Sequence, residues 1–256
     1  MQVTTNFDLI QPRVRQDGQA WAKTIILIGL AAYFAWVIAS GNLSNYINER
    51  FSWLSYVAVA IFALLGIGNV IETMRRRSSE LPVIQPAGSE VITWRGILVV
   101  AVPLVLGTLI PSRPLGAESV SGNLSTNAVA TSNMTAFTTD PLTWNVLDWL
   151  RAFHSAEDVT SFNGREADVV GFVYREADFP EDTFMVARFT VSCCVADAGA
   201  IGLPVVWPDA PNYVQDTWVR VTGSFEVSEF RGDKLPILKA AAVEVVTQPD
   251  HPYLYP

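Results

Sequence analysis

Residues 24–48 read TIILIGLAAYFAWVIASGNLSNYIN and residues 51–71 read FSWLSYVAVAIFALLGIGNVI, two apolar runs without a charged side chain. A helix needs roughly 20 apolar residues to cross the hydrocarbon core of a bilayer, and buried core helices are usually shorter. Both runs therefore predict membrane-spanning helices. A third uncharged run, 96–112, is shorter and contains Pro103. The sequence predicts a transmembrane region at 23–112 with three helices, at about 24–46, 51–72 and 95–112.

Basic residues set the predicted orientation of these helices. Three precede the first run and four lie between the second and third: Arg13, Arg15 and Lys23, then Arg75, Arg76, Arg77 and Arg95. Short segments rich in Lys and Arg stay on the cytoplasmic side of a membrane. We therefore expect a cytoplasmic N-terminus at 1–22 and a cytoplasmic second loop. Three crossings then place the rest of the chain on the exterior side of the cell membrane, in a multi-pass protein that contacts lipid.

The chain beyond the third run changes composition. Residues 113–139 are rich in Ser, Thr, Asn, Ala and Gly without a sustained period, which is typical of a flexible linker. Asp140 and Pro141 then resemble a helix N-cap followed by proline in the first helical position. An amphipathic helix is expected over 142–153. Residues 140–256 as a whole are predicted to form an exterior domain.

The exterior domain has the pattern of a small β structure. Five stretches rich in β-branched and aromatic residues follow one another, and the fourth alternates cleanly between apolar and polar side chains. Five short strands in about 80 residues suit an OB-like five-stranded barrel preceded by a helix. A β-sandwich is the competing fold. The fold class is thus N-terminal transmembrane α-helices plus an all-β C-terminal domain, with strands predicted at 167–174, 184–194, 205–207, 218–227 and 237–246.

Charge is distributed unevenly between the two halves of the chain. Residues 1–139 carry 9 basic and 7 acidic side chains, whereas residues 140–256 carry 8 basic and 18 acidic ones. Affinity for nucleic acid comes largely from cations that displace phosphate counterions. The acidic half is therefore a poor nucleic-acid binder, and nucleic acid is excluded as a partner.

The most unusual stretch of the chain is SCCVADA at 192–198. Cysteine thiolate is a soft ligand for zinc or copper(I), and Asp197 is close enough in sequence to Cys193 and Cys194 to add an oxygen. A closed zinc site needs four ligands, for which His154 and His251 are the remaining candidates. We therefore predict a metal site at Cys193, Cys194 and Asp197, with Cys194 exposed. The cofactor is unknown, with zinc or another thiophilic ion as the candidate.

Two other interpretations of this stretch stay open. The cysteines could be redox-active thiols, which requires a lowered pKa. They could instead be small apolar residues at the end of a strand, with Asp197 capping a turn. If the second strand ran to 194, one cysteine would face the core and the other solvent. A purely structural adaptor would bury both.

Arg188 and Trp218 are candidate interaction residues. A regular strand would place Arg188 on the same face as Cys194, where it could stabilise a thiolate, although a solvated or ion-paired surface arginine is the more common case. The chain contains no phosphate-cradling glycine loop, Ser-His-Asp signature or HExxH motif. We therefore predict neither catalytic nor cofactor-binding residues and expect that the protein is not an enzyme.

Four motifs resemble those of the YcgQ-like family of bacterial membrane proteins. They are GFVY at 171–174, RF at 188–189 leading into CCVADA at 193–198, DTWVRVTG at 216–223 and PYLY at 252–255. The resemblance covers about 142–256 well, and the membrane region only in layout. Members are typically encoded beside a multi-span permease.

The resemblance implies that this chain is the accessory subunit of a two-component membrane permease. Its exterior domain would bind or present a substrate, for which a metal ion is a candidate, or contact a multi-span permease encoded nearby. The alternative is a stand-alone, membrane-anchored metal-binding or thiol-redox protein.

Overall fold

The computed structural model describes residues 13–78, 94–120, 124–126 and 140–256. The chain divides into two compact units. The helical unit contains the described residues up to Leu43 and from Arg50 to Ser112. The β unit contains Ser44–Glu49 and the described residues from Arg113 to Pro256.

The helical unit contains α1 (Arg13–Ala39), α2 (Ser52–Ser78) and α3 (Trp94–Leu109). Two segments, Gly18–Ala39 and Glu49–Arg75, are long and apolar enough to cross a membrane, whereas the apolar part of α3, Gly96–Leu109, is shorter. The first helix therefore ends earlier than the predicted residue 46. Its end is set by Gly41, whose φ of 73° lies in the left-handed region that terminates helices.

Helices α1 and α2 pack closely and run in opposite directions. Ile28 lies against Gly66, where an added Cβ would come within 2.9 Å of the Ile28 side chain. Further along α1, the ring of Phe34 stacks on Phe62, with 5.9 Å between centroids. Small residues at such crossings allow close approach of helices in a membrane, where packing rather than the hydrophobic effect drives association.

The β unit is built on a six-stranded sheet. Strand order is β1-β4-β5-β3-β2-β6, and an additional β1–β2 pairing joins five of the strands in a closed ring. The β3–β5 pairing is parallel, and the short β6 adds to β2 in parallel. Strands are present at all five predicted places, but the third begins at Gly199 and the prediction at 205–207 caught only its end; the sixth was not predicted. The bounds are β1 (Glu166–Tyr174), β2 (Thr183–Thr190), β3 (Gly199–Val206), β4 (Trp218–Phe230), β5 (Asp233–Val245) and β6 (Tyr253–Leu254).

One helix packs on this ring, with a different start from the predicted one. Asp140 caps only a short 3-10 turn, Pro141–Thr143. Asn145 then caps α4 (Val146–Ser155), because its side chain accepts two backbone N–H groups in a capping box. The predicted helix over 142–153 is therefore wrong at its beginning. The fully buried Trp149 of α4 anchors the helix in the main core, where its ring lies 4.8 Å from that of Phe225 in β4.

The first part of the predicted linker 113–139 belongs to the β unit. Ala117 and Val120 are buried in a second apolar cluster, and Leu124 packs there as well. Ser125 pairs with Ile201 of β3 in an isolated bridge. Residues 113–120 are therefore not a flexible linker, although the polar composition of 113–139 predicted one. Residues 121–123 and 127–139 lie outside the described residues.

Candidate functional site

Residues 192–197, here called the cysteine turn, connect β2 to β3. The predicted second strand reached residue 194, but β2 ends at Thr190. The carboxylate of Asp197 accepts the backbone N–H of Ser192 at 2.9 Å and that of Cys193 at 2.7 Å, and a longer 3.4 Å contact comes from the N–H of Cys194. These bonds stop the strand because they use the amides that a β ladder would need.

Both thiols of the cysteine turn are accessible. The exposed cysteine is Cys193, not Cys194 as predicted; Cys194 is intermediate, with 3.8 Å between the two sulfur atoms. The expected alternation, with one cysteine in the core, does not occur because the strand has already ended. The burial of both cysteines expected of a purely structural adaptor is also absent.

The carboxylate of Asp197 also controls the protonation of the turn. Its hydrogen bond with the Cys193 thiol raises the pKa of Cys193 to about 11, with a smaller contribution from Cys194. The same thiol hydrogen bond, aided by the backbone N–H groups, lowers the pKa of Asp197. At neutral pH the Cys193 thiol is therefore protonated beside an ionised carboxylate. This is the opposite of the lowered pKa expected of a redox-active thiol.

The potential ligand atoms of Cys193, Cys194 and Asp197 lie within 4.8 Å of one another, close enough to contact one ion. Neither candidate histidine joins this group. His154 lines a groove between α4 and the strands, with a volume of about 200 Å³. His251 pairs with Glu49, with 2.8 Å between Nδ1 and Oε1. Among the described residues the turn thus offers two sulfur donors and a carboxylate whose oxygens already accept backbone hydrogen bonds.

Ser44–Glu49, here called the docking segment, packs against the cysteine turn. Ile47 forms an antiparallel bridge with Cys194. The backbone of Asn48 donates to the Cys193 carbonyl at 3.1 Å, and its side-chain amide donates to the carbonyl of Ser192 at 2.9 Å. In return, the Val195 N–H donates to the carbonyl of Tyr46 at 2.9 Å. This segment was not predicted, because its uncharged residues continue the first apolar run without a break.

Arg188 does not have the surroundings predicted for it, beside a thiolate or on the surface. Its side chain is buried, and the guanidinium donates to three carbonyl oxygens, those of Pro252 at 3.1 Å, Val170 at 3.2 Å and His251 at 2.9 Å. It also lies over the ring of Trp218, 5.1 Å from the centroid. Burial lowers the pKa of Arg188 to about 10, which leaves it charged at neutral pH. Arg188 and Trp218 therefore do interact, but inside the β unit, and Arg188 is neither a surface arginine nor a partner of a thiolate.

Residues 251–255, here called the C-terminal tail, are held by Arg188 and by Tyr253. The buried Tyr253 hydroxyl accepts the N–H of Leu115 at 2.9 Å and donates to the carbonyl of Asn45 at 3.1 Å. Burial raises the pKa of Tyr253, so the hydroxyl keeps its proton. The tail thus joins the docking segment to the stretch that follows α3. The PYLY motif at 252–255 contains no sequence signal for this contact between distant parts of the chain.

Comparisons with known proteins match nearly the whole chain. Residues 22–125 match the DUF1980 N-terminal domain and residues 130–256 match the DUF1980 C-terminal domain. A Streptococcus mutans protein named "Putative two-component membrane permease complex subunit" is 23% identical over 274 residues, covering 91% of this chain and 98% of that protein.

A Bacillus subtilis protein, UPF0703 protein YcgQ, is 21% identical over 280 residues, with the same coverage of 91% and 98%. Among solved structures, an OBody bound to hen egg-white lysozyme matches 36% of this chain and 88% of that chain at 22% identity. Its TM-score of 0.25 is too low to support a statement about the fold. The family matches and these relatives confirm the resemblance found in the sequence, and this chain belongs to the DUF1980 family.

Proposed function

We propose that this chain is the accessory subunit of a two-component membrane permease, with a β unit that presents substrate to the permease or contacts it. The observation that carries the proposal is the position of the cysteine turn. Its backbone is hydrogen-bonded to the docking segment, which joins the two helices that are long enough to cross a membrane, and its thiols are accessible. A substrate or partner bound there would be held beside the segment that connects those helices.

The relatives support the same conclusion. The Streptococcus mutans protein is named as a subunit of a membrane permease complex, and the match spans almost its whole length. That name indicates a transport subunit rather than an enzyme. The partner in this proposal is a multi-span permease, and lipid surrounds the helical unit.

The proposed arrangement places the N-terminus in the cytoplasm and the β unit on the exterior side. The basic residues around α1 and α2 favour it. We further propose that the ring of five strands is an OB-like barrel. The ring order β1-β2-β3-β5-β4 supports this proposal, since OB-folds are five-stranded and use one face and its loops for binding.

Within this proposal, the cysteine turn is where substrate binds. Two adjacent sulfur atoms favour a thiophilic metal ion such as zinc or copper(I). The alternative function is a stand-alone metal-binding or thiol-redox protein, which would use the same thiols without a permease. The raised pKa of Cys193 weighs against the redox form of this alternative.

The proposal is tested by purifying the tagged chain from membranes of its own host in mild detergent and identifying partners by mass spectrometry. Near-stoichiometric recovery of one multi-span permease is expected. Recovery of the chain alone, under conditions that keep another membrane complex intact, would instead favour the stand-alone protein.

The role of the thiols is tested with the double variant Cys193→Ser/Cys194→Ser and a matched control, Ser192→Ala, in the same exposed turn. We expect the double variant to retain the permease but to lose transport of thiophilic metal ions, while the control behaves as the native chain. Unchanged metal transport by the double variant would show that the thiols are not needed for transport, without contradicting the proposed role as a permease subunit.

A further inference from the structure

The docking segment and the rest of the β unit are separated in sequence by α2 and α3. The segment follows α1 directly, whereas the other residues of the β unit follow α3. The two parts are nevertheless joined by backbone hydrogen bonds between Asn48 and Cys193 and between Val195 and Tyr46. A fold with these bonds requires both parts to be in the same compartment.

We infer that α3 crosses the membrane, although it is shorter than α1 and α2. The inference rests on the proposed membrane placement of α1 and α2. If α1 crosses once, the docking segment lies on the far side, and α2 returns the chain to the first side. The remainder of the β unit can then meet the docking segment only if α3 makes a third crossing. An α3 that lay along the surface or turned back would leave the two parts of the β unit on opposite sides.

The packing of the helical unit provides independent support. Gly29 of α1 lies against Leu104 of α3, where an added Cβ would come within 3.1 Å of the leucine. One turn further along α1, Tyr33 lies against Gly107, where an added Cβ would come within 2.7 Å of the phenol oxygen. Both pairs advance in the same direction, so α1 and α3 are parallel. Helices that are parallel and in contact cross a membrane in the same sense.

The length of α3 is compatible with a crossing. Its 16 residues extend about 24 Å, somewhat less than the roughly 30 Å hydrocarbon core. A short span is accommodated by local thinning of the bilayer at modest cost. Arg95 and Arg113 flank an uncharged stretch and mark its two ends. Several apolar side chains on α3 are exposed, as lipid contact requires, including Leu98, Val99, Val105 and Leu109.

The C-terminal tail bonds to both stretches of chain that follow the first and third helices. The Tyr253 hydroxyl bonds to Asn45, just after α1, and to Leu115, just after α3. One buried phenol therefore joins, within the β unit, a residue that follows the first helix to a residue that follows the third. This explains why the tail forms β6 instead of extending away from the β unit.

The test is thiol labelling of intact cells that express single-cysteine variants in the Cys193→Ser/Cys194→Ser background. Three reporters suffice: Ser40→Cys after α1, Ser78→Cys at the end of α2 and Ser228→Cys on an exposed position of β4. Each variant is treated with a membrane-impermeant maleimide before and after permeabilisation. Labelling in denaturant gives the total thiol of each variant.

We expect the reporters at 40 and 228 to be labelled on intact cells and the reporter at 78 only after permeabilisation. If the reporters at 40 and 78 lie on opposite sides, a reporter at 228 on the side of 78 would overturn the inference while leaving the membrane placement of α1 and α2 intact. Equal labelling of 40 and 78 would show that α2 does not cross, which would overturn both the inference and the proposed placement.

Discussion

Replacement of Tyr253 by Phe should destabilise the β unit although it preserves the shape of the side chain. The native hydroxyl makes two hydrogen bonds to backbone groups, with the N–H of Leu115 and the carbonyl of Asn45. Tyr253 is only 2% exposed, so water cannot replace the hydroxyl without rearrangement. A lost hydrogen bond costs about 0.5–1.5 kcal/mol, and a buried donor left without its acceptor costs about 1–3 kcal/mol. We expect a loss of about 2 kcal/mol.

The assay is thermal unfolding of the purified full chain in detergent, followed by tryptophan fluorescence. For a unit of this size, each kcal/mol lowers the melting temperature by roughly 2–4 °C, so the variant should melt about 4–8 °C below the native chain. Hydrogen exchange provides a local measurement, since a peptide containing Leu115 should exchange faster in Tyr253→Phe.

The matched control is Tyr213→Phe, which removes a single hydrogen bond, to the carbonyl of Val243 at 3.0 Å, from a half-buried tyrosine. It should lose about half as much stability. A Tyr253→Phe variant that melts no lower than Tyr213→Phe, with unchanged exchange at Leu115, would refute this role of the hydroxyl. That result would mean that the tail does not hold the stretch after α3.

Three further changes probe other parts of the β unit. Asp197→Asn should speed alkylation of Cys193 at pH 8 by about tenfold or more, because the pKa of Cys193 falls from about 11 toward its ordinary value and more thiolate forms; an unchanged rate would contradict the assigned cause. Because folding lowers the pKa of Asp197, its ionised carboxylate should stabilise the turn at every pH above 3.8, the ordinary pKa of an aspartate. The stabilisation should disappear as the pH falls through the lower pKa of Asp197 in the folded chain. Measuring stability against pH for the native chain and for Asp197→Asn would detect this loss. Gly223→Ala should cost about 1–3 kcal/mol in thermal unfolding, since a Cβ would overlap a backbone carbonyl of β5, whereas Gly199→Ala, with its nearest neighbour at 3.4 Å, should be nearly neutral. Arg188→Lys should cost about 2 kcal/mol, because an ammonium cannot serve three separate carbonyls and stack on an indole, and a melting temperature equal to that of the native chain would contradict this account.

Periodicity and composition predicted the elements of the fold well. The clean alternation over 218–227 lies inside β4, and the uncharged run over 51–71 lies almost entirely inside α2. These predictions succeed because burial on one face of a strand, or on all sides in lipid, acts on every residue of a stretch. A long stretch therefore averages over individual exceptions.

The parts that the sequence did not reveal depend on single groups. The second strand was predicted to reach residue 194, yet β2 stops at Thr190 because one carboxylate accepts the N–H groups of Ser192 and Cys193. The docking segment and β6 are each only a few residues long. Their partners lie more than 60 residues away, as in the bond between Tyr253 and Asn45, which are 208 positions apart. No local pattern encodes such contacts, so the surroundings of the cysteine turn could not be predicted even though its residues were.

The dual use of Asp197 limits what the cysteine turn can bind. A carboxylate that coordinates a metal must present an oxygen, but both oxygens of Asp197 already accept backbone N–H groups at 2.9 Å or less. Coordination by Asp197 would weaken the bonds that end β2 and place Cys193 and Cys194 side by side. A cation at the turn is therefore better bound by the two sulfurs, while Asp197 continues to cap the turn.

Asp197→Asn should affect metal affinity in opposite ways, depending on whether Asp197 is a ligand or a cap of the turn. As a ligand, Asp197 would be needed for metal affinity, and the asparagine variant would bind zinc or copper(I) much more weakly. As a cap, its loss lowers the pKa of Cys193 and eases the deprotonation that metal binding requires, so affinity at neutral pH should be retained or increased. Metal titration of the purified chain, with Cys193→Ser/Cys194→Ser as the control that loses binding, separates the two. The hydrogen bonds of the turn favour the second outcome.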